Sequence, residues 1–405
     1  MTNRVALLTG GGDKPYALGI ASALASAGVA LDFIGSDDLE SPDLLKDPLV
    51  RFLNLRGDQR PEASTTAKLI RVFLYYARLL RYALTAEPRV FHILWNNKLQ
   101  LFDRTLLMLY YKLLGKKVVL TVHNVNAAAR DGGDSISNRI SLRAQYMLAD
   151  HLFVHTTKMK NQLASEFAVT KSKVSVIPFG INNTVPNTSL SQLEARNQLG
   201  FEQTEWVLLF FGNIAPYKGL EFLVEAFIQL ALEDARHRVL IVGRPKQDQA
   251  YWESIEDRIR QAGLAHRTYT RIEYVSDEET EIYFKAADVL IIPYTYVFQS
   301  GVLFLGYNFG LPAIVTDVGS LKEEVIDGKT GFVCKPCDSF DLARAIRTYF
   351  NSELYHDLQE RRWDIQRYAH ERYSWDKVIA ATTSVYASLV GNNAIFPGEP
   401  SSAIK

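Results

Sequence analysis

Short continuous apolar runs alternate along this chain with longer stretches whose apolar residues recur every three or four positions. The runs at 5–8, 31–35, 90–95, 117–122, 152–155 and 174–177 predict strands buried on both faces, as in a parallel sheet. Helical spacing fills the gaps at 16–27, 67–84, 106–114, 141–148 and 159–167. The alternation then resumes, with strands expected at 207–211, 239–242, 271–275, 289–292 and 313–315 and helices between them, including 219–232 and 302–308. Three helical stretches follow, at 340–350, 353–368 and 375–390. Alternation of this kind predicts an α/β protein whose parallel sheets are covered on both faces.

The pattern breaks at 182–191, a stretch rich in Asn, Thr, Pro and Ser that reads as an interdomain linker. It divides a domain at 1–181 from one at 192–375. A last helix, from 376, is expected to cross back to the first domain, and the Pro/Gly/Ser-rich end from 392 to fray. With 405 residues and a hydrophobic fraction of 47%, two domains with large cores are expected. A formal net charge of zero argues against nucleic acid as the main partner. Residues 1–4 lead straight into the first strand, and no run of about 18 apolar residues is free of charge, so the expectation is a cytoplasmic protein with no membrane span. Cys334 and Cys337, in GFVCKPCD, are the only cysteines. Half a zinc site without a second ligand pair reads as two plain loop thiols, and no other metal-ligand cluster stands out, so no metal is expected.

Several stretches carry candidate chemistry. Thr9-Gly10-Gly11-Gly12 follows the first strand; it lacks the third glycine of a dinucleotide fingerprint, so Gly11 and Gly12 form either a ligand loop or a plain turn. His123 stands at a strand's carboxyl end, where open α/β sheets bind ligands and where a structural histidine also fits. In WVLLFFGNIAPYK, Lys218 sits at the mouth of the next helix, where free N–H groups make a cation unfavourable unless an anion binds. Gln299, Ser300 and Gly301 precede a helix from Val302 whose first turn has no acid, leaving its N–H groups to an anion or to a buried apolar helix; Ser300 is a candidate cap. Two such helix mouths in one domain point to a diphosphate. Ser320 and Glu323 have capping-box spacing, which accounts for both, and Glu323 is carried as a donor-binding candidate beside that reading.

The predicted helix 67–84 contains no acid, and Lys68, Arg71, Arg78 and Arg81 fall on one side of it with Tyr75 and Tyr82. That face suits an anionic membrane surface, with the helix's other faces left to pack on the sheet; a solvated basic face is the alternative.

GNIAPYKGLEFLVEAF, ADVLIIPY, FGLPAIVTDVGSLKEEVIDGKTGFV, VSVIPFGI and LTVHN together resemble the retaining nucleotide-sugar glycosyltransferases of family 4. The resemblance spans nearly the whole chain and is densest over 206–345. It implies the GT-B fold, two Rossmann-like parallel-sheet domains facing across a cleft. It places Gly212, Asn213 and Lys218 at the donor diphosphate and His123 at the donor sugar. Two departures stand out. Asn213 occupies a position where the family often has Arg. Val297 and Leu305 occupy the positions of its two glutamates, and a subset with Ser-Gly-Val-Leu resembles this chain more closely.

The resemblance implies a retaining, metal-independent hexosyltransferase that takes a nucleoside-diphosphate sugar to a glycan or lipid-linked acceptor in bacterial exopolysaccharide assembly. Lys218 with Gln299, Ser300, Gly301 and Val302 would hold the diphosphate, and His123 would touch sugar or acceptor. No cofactor is implied beyond the donor. The rivals are a sugar-nucleotide-binding partner without catalysis and a GT-B sugar-nucleotide epimerase.

Overall fold

A computed structural model describes residues 4–60, 64–130, 132–182, 185–245 and 248–391. The chain forms two compact units, Met1–Gly180 with Tyr373–Lys405, and Ile181–Arg372. The predicted tail from 392 lies outside the described residues.

The first unit holds β1 (Val5–Leu8), β2 (Leu31–Gly35), β3 (Val50–Asn54), β4 (Val90–Ile93), β5 (Lys117–Val122), β6 (His151–Val154) and β7 (Val174–Val176), in the order β3-β2-β1-β4-β5-β6-β7. The second holds β8 (Trp206–Phe211), β9 (His237–Val242), β10 (Thr268–Arg271), β11 (Val289–Ile292), β12 (Ala313–Thr316) and β13 (Gly331–Cys334), in the order β10-β9-β8-β11-β12-β13. Every pairing is parallel, and β1, β2, β4, β11 and β12 are buried along their whole length; their residues are mostly apolar, with Asp32 of β2 and His92 of β4 buried as hydrogen-bonded exceptions. Each sheet changes direction beside its first strand, between β1 and β4 and between β8 and β11. The crevice outside the carboxyl ends of such strands is where open α/β sheets hold ligands.

The helices of the two units include α1 (Lys14–Ser26), α2 (Thr65–Thr85), α3 (Ile136–Leu148), α4 (Leu220–Glu233), α5 (Gly301–Asn308) and α6 (Trp375–Val390). Asp13 caps α1 by accepting from the Tyr16 amide at 2.9 Å, with a proline in the first turn. The returning α6 packs on α1. Val378, Ile379 and Tyr386 join the core formed by β1, β2 and α1, and the Trp375 ring fills the space beside Gly19, where a Cβ would come within 2.2 Å of it. Burying each such apolar side chain contributes about 1.5–3 kcal/mol.

The structure departs from the sequence expectations at several elements. The strand expected at 271–275 is Thr268–Arg271: pairing with β9 puts Thr268 opposite Val239, and the chain leaves the sheet after Arg271. β3 and β13 carry too little continuous apolar sequence to stand out, and both lie at sheet edges. The single helix expected at 353–368 is two, Glu353–His356 and Leu358–Tyr373, parted at Asp357. A helix at Gln192–Leu199 starts from a capping box of Ser191 and Glu194, a signal present in the sequence. The stretch read as a linker, outside its undescribed residues 183–184, is tied to the second unit: Thr188 bonds the Glu281 carboxylate and Asn187 the Asn308 carbonyl. Cys334 is a buried residue of β13 rather than a loop thiol, Cys337 is exposed, and both are free.

Helix α2 reverses part of its expected orientation. Tyr75 is buried and donates to Asn97 Oδ1 at 2.5 Å, and Tyr82 donates to Asp32 Oδ2 at 2.7 Å, so neither ring joins the basic face. Arg71 turns inward to the Asp58 carbonyl. The apolar side expected against the sheet is only half used: Leu79 and Ala83 are buried, whereas Leu69, Ile70, Phe73 and Leu84 are exposed, Phe73 at 73%.

Candidate functional site

In the first unit the ends of β1, β4, β5 and β6 build an aromatic cluster around His123. Gly10 and Gly11 adopt positive φ, 60° and 83°, and a Cβ on Gly10 would meet the Trp95 carbonyl at 2.0 Å. Gly12 passes just as closely over the Trp95 ring. The glycines therefore let the β1 loop cross the end of β4. Trp95 stacks on His123, with centroids 4.1 Å apart and planes 3° from parallel, and Tyr16 meets His123 edge-on at 4.8 Å.

His155 Nε2 lies 3.1 Å from His123 Nδ1, while His155 Nδ1 faces the Ile177 carbonyl at 3.4 Å. A carbonyl only accepts, so His155 carries its proton on Nδ1, and His123 must donate from its own Nδ1. The His123 Nε2 lone pair is then left as a buried acceptor with no partner among the described residues. Burial, reinforced by His155 and His92, holds the His123 pKa well below the usual value, so the ring is neutral.

In the second unit the switch point between β8 and β11 brings the donor-site candidates together. Gly212 ends β8 at φ 104°, and a Cβ there would sit 2.9 Å from Lys218 Nζ and 3.5 Å from Val302 Cγ2. Lys218 and the first turn of α5 thus meet at one glycine. Lys218 is only 6% exposed, its Nζ lies 5.0 Å from the Tyr294 ring centre, and it makes no ion pair among the described residues. A buried ammonium without a carboxylate is costly unless an anion supplies the missing charge. Glu221, in the first turn of α4, accepts from the Tyr251 hydroxyl instead.

Ser300 occupies the cap position of α5 but does not cap it: its hydroxyl points to the Tyr294 hydroxyl at 3.4 Å. The α5 first turn has no acid. The Gln299 side chain donates to Glu324 at 3.5 Å and leaves its Oε1 buried and unpaired. The capping box read at Ser320 and Glu323 does not form, because the helix is only Leu321–Glu324 and the Ser320 hydroxyl donates to the Phe298 carbonyl at 2.8 Å. Glu323 is exposed and Glu324 buried, so the carboxylate beside Gln299 is Glu324. Sequence spacing could not separate two adjacent glutamates in a helix of one turn. Arg244 was missed as well. It follows Gly243 at the end of β9, where Gly243 packs against the Gly212 carbonyl, and so puts a cation on the carboxyl edge next to the exposed Asn213. Val297 and Leu305 add no charge, and Leu305 is buried. Among the described residues no group of acidic, histidine and cysteine side chains could hold a metal ion.

A crevice of this kind in each of two parallel-sheet units is the architecture of GT-B glycosyltransferases. The family model described as Glycosyl transferases group 1 matches residues 191–372, and the one described as Glycosyltransferase Family 4 matches residues 10–184. The chain is of this group 1/family 4 glycosyltransferase type. Among its relatives, a D-inositol 3-phosphate glycosyltransferase of Streptomyces avermitilis is 28% identical over 59% of this chain and 52% of its own length. An uncharacterized glycosyltransferase of Methanocaldococcus jannaschii is 26% identical over 56% of this chain and 57% of its own. The chain spans about half the length of the curated relatives it matches. Similar solved structures include a sucrose-phosphate synthase from Thermosynechococcus elongatus, with TM-score 0.76, 20% identity and coverage of 96% of this chain and 99% of that one. Another is Anabaena HepE in complex with UDP and glucose, with TM-score 0.73, 17% identity and coverage of 95% and 99%.

The histidines make the first unit sensitive to acid. Burial lowers the pKa of His92 from 6.5 to about 3, and that of His155 to about 4. The unfolded chain takes up these protons near pH 6.5 and the folded chain does not, so stability is lost as pH falls below that value towards the folded pKa. Each histidine should cost about 2 kcal/mol by about pH 5. Chemical denaturation across that window should show the loss, and His92→Gln should flatten the slope by about one proton. An unchanged slope would mean that folded His92 takes up its proton in this range.

Proposed function

We propose that this chain is a retaining glycosyltransferase that moves a sugar from a nucleoside-diphosphate sugar to a glycan or lipid-linked acceptor in bacterial polysaccharide assembly. The observation that carries the reading is Lys218, buried without a carboxylate and meeting the acid-free first turn of α5 at Gly212. A sugar nucleotide supplies the missing charge as its diphosphate. In the transfer, the acceptor hydroxyl attacks the anomeric carbon on the face from which the diphosphate departs. The new C–O bond forms as the bond to the phosphate oxygen breaks, and the acceptor proton passes to that leaving oxygen. Lys218 and the Gly301 and Val302 amides neutralise the charge growing on the diphosphate. His123, held neutral with a bare Nε2, accepts a hydroxyl hydrogen bond from sugar or acceptor and orients it. The apolar Val297 and Leu305 favour one second reading, a partner that binds sugar nucleotide without transferring the sugar.

Lys218→Ala should leave the fold intact and cost about 2–4 kcal/mol in the transfer step. Comparing wild type and variant with a panel of UDP- and GDP-sugars tests this, and near-normal turnover in the variant would remove Lys218 from the mechanism. Nucleotide binding without turnover of any donor by the wild type would favour the second reading.

Charge neutralisation by lysine and helix amides leaves no task for Mg²⁺ or Mn²⁺. Turnover should therefore survive EDTA, and loss of activity that added metal restores would contradict the scheme.

The acceptor side is proposed to rest on an anionic bilayer. The support is the outer face of α2, where exposed Leu69, Phe73 and Leu84 stand with exposed Arg78 and Arg81 on a helix without an acid. At about 1 kcal/mol per basic residue near the surface, Arg78→Glu with Arg81→Glu should abolish flotation with phosphatidylglycerol vesicles at low salt. Flotation that ignores both substitutions would place the contact elsewhere.

A further inference from the structure

A second group of cations lies in the first unit, apart from His123 and from the donor site. Arg56, Gln59, Arg71, Tyr75, Asn97 and Lys98 line a small pocket open to solvent, with a cavity volume of about 20 Å³. Resting on the transferase reading, we infer that this pocket binds a phosphate group carried by the acceptor.

The charge balance supports an anion. Among the described residues Arg56, Arg71 and Lys98 form no ion pair. Arg56 Nη1 is buried with no hydrogen-bond partner among the described residues, and the guanidinium lies over the Tyr75 ring, 5.7 Å from its centre. Two carboxylates stand nearby, and neither forms an ion pair with these cations among the described residues; Asp103 Oδ2 is buried without a hydrogen-bond partner, and burial raises that carboxyl's pKa to about 6. Asp58 pairs with Arg60 and offers Arg71 only its backbone carbonyl. One oxygen of Asp103 accepts from the Tyr76 hydroxyl at 2.9 Å and from Asn97 Nδ2 at 3.3 Å. The neutral lining groups are committed as well: Tyr75 donates to Asn97 Oδ1, and Gln59 Nε2 to the carbonyls of the 56–58 turn. The groups left to meet a ligand are the Arg56 guanidinium, the Arg71 N–H groups not given to the Asp58 carbonyl and the Lys98 ammonium, a set that suits tetrahedral phosphate oxygens.

The position suits the acceptor. Arg56 follows β3, and its Nη1 lies so close to Gly11 that a Cβ there would come within 1.9 Å. Gly12, next in the loop, packs on the Trp95 ring that stacks on His123. The pocket and His123 therefore share one carboxyl edge, linked by the β1 glycine loop. Arg71 comes from α2, whose opposite face carries the exposed apolar residues. A lipid phosphate and a soluble sugar phosphate offer the same group to this pocket.

The test is calorimetric titration of the full chain with inorganic phosphate and, separately, with UDP. Phosphate affinity should fall about tenfold or more in Arg56→Gln/Arg71→Gln and recover in Arg56→Lys, while Lys218→Ala leaves it unchanged. Phosphate binding that is absent, or that follows Lys218 and ignores Arg56, overturns the inference. UDP affinity should not respond to the arginine variants. A chain that binds phosphate at Arg56 but no nucleoside diphosphate keeps the pocket and sinks the transferase reading; a chain that binds UDP with phosphate affinity indifferent to Arg56 does the reverse. Vesicles separate the two sources. Flotation with phosphatidic acid that depends on Arg56, without such dependence for phosphatidylglycerol, assigns a lipid phosphate. Flotation indifferent to Arg56, beside Arg56-dependent binding of inorganic phosphate, assigns a soluble one.

Discussion

Parallel pairing is the constraint on which the rest of this molecule depends. In both sheets every strand runs the same way, so all carboxyl ends reach one edge and both faces need covering. The cover is provided by the crossover helices and, in the first unit, by α6, which returns to lay Val378 and Tyr386 on the core. At the shared edge the chain turns back beside the first strand of each sheet, and both turns depend on glycines that let backbone pass backbone. Gly10 crosses the Trp95 carbonyl in one unit, and Gly219 crosses the Pro293 carbonyl in the other, each with positive φ and no room for a Cβ. These crossings place Lys218 and His123 at their respective edges.

The two units prepare different electrostatics on that common frame. The second draws a lysine into a buried position without a carboxylate and sets an uncapped, acid-free helix turn beside it. The first keeps its histidines neutral by burial and holds Arg56 and Arg71 to one side, without an ion pair among the described residues. Where a buried charge does have a partner, it serves structure: Arg196 and Asp288 pair at 2.7 Å, and the same carboxylate oxygen accepts from the Val207 amide at the start of β8. The contrast is with Lys218, which is buried and forms no ion pair among the described residues.

Much of this was legible in the chain itself. A strand buried on both faces is apolar along most of its length, so β1, β2, β5, β8, β11 and β12 announce themselves. Edge strand β3 mixes polar and apolar residues, and edge strand β13 is a short Gly-Phe-Val-Cys run, so neither leaves such a signature. Lys218 could be placed because a cation at a helix mouth contradicts a local rule. Capping proved less transferable: Ser191 with Glu194 forms its box, whereas Ser320 with the same spacing gives its hydroxyl to the Phe298 carbonyl. Local spacing states that a bond can form and leaves open a competing acceptor brought up by the fold.

The sequence by itself determined the alternation of elements, the class of fold and the identity of the lysine and histidine at the strand ends. All of these rest on near neighbours in the chain and on the period of burial. Tertiary structure alone decided which face of α2 is covered, which of Glu323 and Glu324 is buried, and that Arg56 lies against Gly11 and over the Tyr75 ring. Each depends on which distant segment arrives beside the residue. Arg56 and Gly11 are separated by two strands in sequence and joined only because β3, β2 and β1 stand side by side in the sheet.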